Sequence, residues 1–147
     1  MNPAAFARLL ADYERAGVYH LTPGGMAALG EACAQADLHL IRVGLAETPR
    51  MADAMDILTK ATACPAHEAA HLDDLGDMLC DFSWLPANGY VLLIEDADNL
   101  IASDPAGVQK LLDAFQSASH HWQEQETPFW AFIGLRGDGI ALLPMIG

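Results

Sequence analysis

Tyr90-Val91-Leu92-Leu93-Ile94 is apolar at every position. A strand with one wetted face alternates polar and apolar residues, so an uninterrupted run of this kind reads as a strand covered on both faces. Helices supply such cover, and the neighbouring sequence provides them. Asn88-Gly89 signals a turn just before the run. Asp104-Pro105 after it makes a helix start, the carboxylate capping and the proline taking the first helical position. The helix that follows carries Val108, Leu111, Leu112 and Phe115 and reaches about residue 122. Pro128 then introduces a further strand, Phe129-Trp130-Ala131-Phe132-Ile133, and an apolar tail follows.

The first half of the chain shows the same alternation. Phe6, Leu9, Leu10 and Tyr13 recur at helical spacing up to Gly17. Val18-Tyr19-His20-Leu21 is a short strand stopped by Pro23-Gly24-Gly25. Residues 26–36 form an alanine-rich helix with Leu29 and Cys33 on one face, and residues 38–45 a strand with one polar face. Residues 51–61 are helical with Met55, Ile57 and Leu58 inward, and the segment closes at Cys64-Pro65. A second helix, about residues 71–82, follows with no strand between. Strands separated by helices, without repeat or linker, predict an α/β fold: one domain over residues 1–147 with a small, largely parallel sheet flanked by helices.

Composition narrows the function. At 147 residues, 52% apolar and 18% charged, the chain is globular, and a chain of this size buries roughly 70% of its unfolded surface without a metal or disulfide staple. Cys33, Cys64 and Cys80 are odd in number and widely spaced, a pattern that fits a reducing cytoplasm. The first residues carry acids where a secretory signal needs an apolar core, and no apolar run approaches the ~20 residues of a membrane span. The expected setting is soluble and cytoplasmic. A net charge of −13 argues against nucleic acid and against an anionic membrane as partner, since both demand a basic face. It points toward a basic protein.

That charge is concentrated. The 49 residues between Lys60 and Lys110 hold no Lys or Arg, but they hold Glu68, Asp73, Asp74, Asp77, Asp81, Glu95, Asp96, Asp98 and Asp104. In the helix expected near residues 71–82, Leu72, Leu75, Leu79 and Phe82 make the buried stripe, while Asp73, Asp77 and Asp81 follow one another at i,i+4 on another face. Each such like-charge pair costs roughly 0.2–0.5 kcal/mol. Asp81 also lies near the helix end, where the macrodipole repels it. A helix that gives up stability to keep an acidic stripe presents that stripe to a cationic partner.

His71-Leu72-Asp73-Asp74-Leu75-Gly76-Asp77-Met78-Leu79 resembles the signature helix of the barstar family, intracellular inhibitors of barnase-type ribonucleases. The likeness continues through Cys80-Asp81-Phe82-Ser83-Trp84-Leu85-Pro86, through Leu111-Leu112-Asp113-Ala114-Phe115, and on to Trp122 and Pro128-Phe129-Trp130. It covers about residues 38–135, leaving the first 37 as an added helix-strand-helix. The resemblance implies a barstar-like fold and a non-enzymatic inhibitor that protects its own cell. It implies that Asp73 and Asp77 plug a ribonuclease active site, where carboxylates replace substrate phosphates against Arg, Lys and His. His67, Glu68, His71, Gly76 and Cys80 complete the implied partner-binding set. The sequence departs from the family pattern in four places: His67-Glu68-Ala69 replaces an aromatic-aromatic-Gly turn, His71 an Asn, and Gly76 an aromatic contact, while Ser117 falls near a further acidic contact.

His67-Glu68-Ala69-Ala70-His71 also reads as His-Glu-x-x-His, two imidazoles for zinc with Glu68 as general base. A zinc-dependent hydrolase through these residues is the first alternative function, and an acidic binding module with a non-nuclease partner the second. Against zinc, Pro65 lies two residues ahead, where a site helix would already be running. Adjacent His120 and His121 point apart, and His20 and His39 are expected as satisfied edge or core histidines. There is no nucleophile elbow or Gly-rich phosphate loop, so no cofactor is expected.

Overall fold

The computed structural model describes residues 3–21, 25–47, 50–62, 75, 79–82, 85–134 and 145–146. Among the described residues five parallel strands form one sheet, and it contains the pair that the apolar runs predict, β3 (Tyr90–Glu95) and β4 (Phe129–Gly134). β2 (His39–Gly44) flanks β3 on one side. β1 (Val18–Leu21) lies beyond β4, and the two-residue β5 (Met145–Ile146) pairs with β1, giving the order β2-β3-β4-β1-β5. The helices described from end to end are α1 (Pro3–Leu10), α2 (Met26–Gln35), α3 (Met51–Ala61), α4 (Asp98–Ser103) and α5 (Pro105–Glu124).

The period-2 alternation of strand side chains divides the core in two. Tyr90, Leu92 and Ile94 of β3 and Phe129, Ala131 and Ile133 of β4 pack with Met55 and Leu58 of α3 and Val108, Leu112 and Phe115 of α5. Val91 and Leu93, with Trp130 and Phe132, turn to the other face and meet Phe6, Leu9 and Leu10 of α1 and Leu29 and Cys33 of α2. Each fully buried side chain of this size contributes roughly 1.5–3 kcal/mol. The expected N-terminal helix-strand-helix is present as α1, β1 and α2, and β1 sits inside the sheet, hydrogen-bonded to β4 on one side and β5 on the other.

Local chemistry sets several boundaries. Asp104 caps α5, its carboxylate accepting from the Gly107 N–H at 3.0 Å, with Pro105 at the first helical position. β2 alternates as expected for an edge strand, Ile41 and Val43 buried and Arg42 exposed. Where the structure differs from the sequence reading, a local cause is visible. α1 stops at Leu10 because the Asp12 carboxylate accepts from the Glu14 N–H and opens a 3-10 turn that holds Tyr13. α4 is only six residues long with a single buried residue, Leu100, too little for a periodic signal. Ala54 rather than Ile57 joins Met55 and Leu58 as a fully buried residue of α3.

His20 departs from expectation most clearly. It is 2% exposed, and neither ring nitrogen finds a hydrogen-bond partner among the described residues. A buried polar group left unpaired costs stability, whereas an apolar group of similar size in its place is neutral or stabilising. We therefore expect His20→Leu to unfold in urea at the wild-type midpoint or higher, by up to about 2 kcal/mol. A lower midpoint would mean that the imidazole has a partner.

Burial also pushes the Cys33 thiol up to about 11. An unfolded cysteine titrates at ~8.5, so between these values the folded state keeps a proton that the unfolded state releases. Stability therefore falls as pH rises through that window. Tyr19 and Tyr90, both raised chiefly by burial, carry the loss to higher pH. Urea midpoints measured from about pH 8 to about pH 10 should decline, and less steeply in Cys33→Ala. Equal slopes would assign the titration to other groups.

Candidate functional site

The described part of the expected site is the segment that leaves the acidic helix. Leu75 and Leu79 have helical backbone and are fully buried, and the backbone turns at Cys80. Phe82 is 2% exposed, Cys80 is half-buried, and Asp81 is exposed. The stripe of Leu75, Leu79 and Phe82 therefore faces the core, as their spacing predicts, and packs in the cluster that covers β3 and β4. The site residues His67, Glu68, His71, Asp73, Gly76 and Asp77 lie outside the described residues, as does the whole His-Glu-x-x-His stretch; of the expected set, Cys80 is described.

Aromatic side chains hold this segment from below. The Phe82 ring centroid lies 4.6 Å from that of Tyr90, 6.2 Å from Trp122 and 6.2 Å from Phe129. Tyr90 and Trp122 are themselves 5.2 Å apart. Two hydrogen bonds tie the backbone to these rings. The Trp122 indole N–H donates to the Leu79 carbonyl at 2.8 Å, and the Tyr90 hydroxyl donates to the Leu85 carbonyl at 2.7 Å. Burial raises the Tyr90 phenol, with a backbone hydrogen bond at Ala87 opposing, so the hydroxyl keeps its proton and remains a donor at neutral pH. The Leu85 N–H closes the turn on the Phe82 carbonyl at 2.9 Å.

The acidic run does not all point to a partner. The Glu95 carboxylate accepts from Arg42 Nε at 2.7 Å, across the β2–β3 pair. Arg42 is 63% exposed, so the pair is screened and worth little, but it does compensate one of the nine acids. Asp104 is used as the α5 cap. Sequence reading missed both the Arg42 pairing and the Trp122 and Tyr90 contacts. Two of these join residues far apart in the chain, 53 apart for Arg42 with Glu95 and 43 for Trp122 with Leu79, and no local pattern announces them; the Tyr90 hydroxyl reaches back five residues to Leu85.

Among the described residues no group of three or more His, Cys, Asp or Glu side chains could hold a metal ion. No helix among them is long and apolar enough to cross a membrane.

Comparison with known proteins agrees with this architecture. Among solved structures, the chain is similar to the ORC2 protein of Aeropyrum pernix in its ADPNP–ADP complexes, with a TM-score of 0.56 at 13% identity over 91% of this chain. The chain spans 40% of the length of that protein, and at this identity the likeness shows the fold alone. No curated protein matches the chain. The family model of Barstar (barnase inhibitor) matches residues 38–134, from the start of β2 to the end of β4. A match over about two-thirds of the sequence, containing the Leu75-Leu79-Phe82 stripe and the strands it packs on, makes the chain a member of the barstar family.

Proposed function

We propose that this protein is a non-enzymatic inhibitor that binds a basic ribonuclease and blocks its active site with helix carboxylates, as an immunity or antitoxin protein of the cytoplasm. Membership of a family described as barnase inhibitors supports a protein partner. The observation that carries the finer reading is the run of nine acids without Lys or Arg between Lys60 and Lys110, threaded through a segment whose apolar stripe is committed to the core. With Leu75, Leu79 and Phe82 facing inward, carboxylates at other helical positions are offered to a partner.

In this reading Asp73 and Asp77 take the phosphate positions of a cleft built from Arg, Lys and His, with His67, Glu68, His71, Gly76 and Cys80 around them. The two carboxylates replace a dianionic substrate, and the surrounding negative field speeds encounter with a basic surface. Nucleotide binding does not carry over from the ORC2 likeness. Thr22-Pro23-Gly24-Gly25-Met26-Ala27-Ala28 follows β1 without the Gly-Lys-Ser/Thr that a phosphate loop requires.

Titration of the purified chain against barnase tests the reading directly: ribonuclease activity should fall to zero near one equivalent. Asp77 is flanked at i−4 and i+4 by Asp73 and Asp81, so Asp77→Ala should leave the free protein as stable as before or a few tenths of a kcal/mol more so, roughly the cost of like-charge pairs. The complex should weaken by about 2–5 kcal/mol, the range for truncating one partner of a buried charge pair. Asp73→Ala should behave likewise, and the double variant should be non-additive if both enter one cationic pocket. Raising salt to physiological strength should slow association far more than it speeds dissociation. Loss of stability without loss of affinity in Asp77→Ala would make the stripe structural and overturn the proposal.

A further inference from the structure

The end of a helix leaves its last carbonyls without intrahelical partners and carries the negative pole of the macrodipole. Proteins commonly answer with Lys or Arg near that end. Here the helical backbone gives way to a turn at Cys80, Asp81 follows at once, and no Lys or Arg lies in the 49 residues around them. The donor that reaches the Leu79 carbonyl is instead the Trp122 indole N–H, at 2.8 Å from the far end of α5. An indole satisfies a carbonyl without adding positive charge beside the acidic run. The same ring lies within 14° of parallel to Phe82, so one side chain fixes both the backbone and the anchor of this segment. Tyr90 lies beside Trp122 against Phe82, ring centroids 5.2 Å apart, and is a second neutral donor, to the Leu85 carbonyl.

From this geometry, and resting on the inhibitor reading above, we infer that Trp122 is a positioning residue for the acidic segment: a charge-free donor that holds the exit of the helix on α5 and β3 and so fixes the carboxylates for docking. Tyr90 is the second point of the same clamp.

Hydrogen exchange and barnase binding on the full chain test this with Trp122→Phe, which keeps a ring and deletes the donor, and with Tyr90→Phe as an independent variant. Each should raise exchange of the amides at residues 79–82 by roughly tenfold, the scale of one lost hydrogen bond, while the β4 amides are unchanged. Affinity for barnase, measured well below the unfolding temperature, should fall by roughly tenfold in the native background. It should fall far less in the Asp73→Ala/Asp77→Ala background, because a clamp that acts through those carboxylates has nothing left to position. Exchange that rises uniformly over the sheet, or an equal affinity loss in both backgrounds, would reduce Trp122 to a core residue and overturn the inference. If the wild-type chain does not bind barnase, the ribonuclease reading fails by itself, and the contrast between residues 79–82 and β4 still decides the clamp.

Discussion

Everything in this fold depends on two adjacent strands that cannot face water. β3 and β4 bury every one of their apolar side chains, from Tyr90 to Ile94 and from Phe129 to Ile133, and they pair in parallel along their length. Parallel pairing requires a crossover between them, and double-sided burial requires helices above and below. α4 and α5 provide the crossover, and α5 with α3 covers one face. The opposite face is covered by α1 and α2, which come from the segment ahead of the family match. That segment is more than a cover, because its strand β1 supplies hydrogen bonds to β4 that a shorter chain would leave to water.

The acidic segment is joined to this scaffold through its apolar stripe. Leu75, Leu79 and Phe82 attach it to the core by burial, and the aromatic group of Phe82, Tyr90, Trp122 and Phe129 holds it there. Attachment through apolar surface and neutral donors is compatible with a dense negative charge, because neither contact requires a cation. Lys or Arg in place of those donors would lower the net negative charge of the run. The Arg42–Glu95 pair shows the contrast: it lies on β2 and β3, away from the stripe, and uses one of the few cations near the run.

Much of the architecture was legible because it is local. Uninterrupted apolar strands, the Asp104-Pro105 helix start and the Asn88-Gly89 turn each state their structure within a few residues, and the strands and longer helices fall where those signals place them. Two of the errors are local too. Asp12 intervenes in the first helix by offering the backbone a competing acceptor, and α4 is shorter than the two turns that a periodic pattern needs. Of the candidate site, the inward stripe was readable from spacing alone, and the acidic run from composition.

The sequence by itself determined the fold class and the charge, because side-chain periodicity and net charge are sums over neighbours in the chain. It also contained the barstar resemblance, which is carried by residue types at fixed spacing. Only the tertiary structure decided which polar groups meet. It brought Arg42 to Glu95, gave the Leu79 carbonyl to Trp122, and enclosed His20 with no partner among the described residues. Those outcomes depend on strand order and on how α5 lies across the sheet. Hydrogen bonds are short-ranged and directional, so a partner 43 or 53 residues away leaves no trace in the local pattern of either residue.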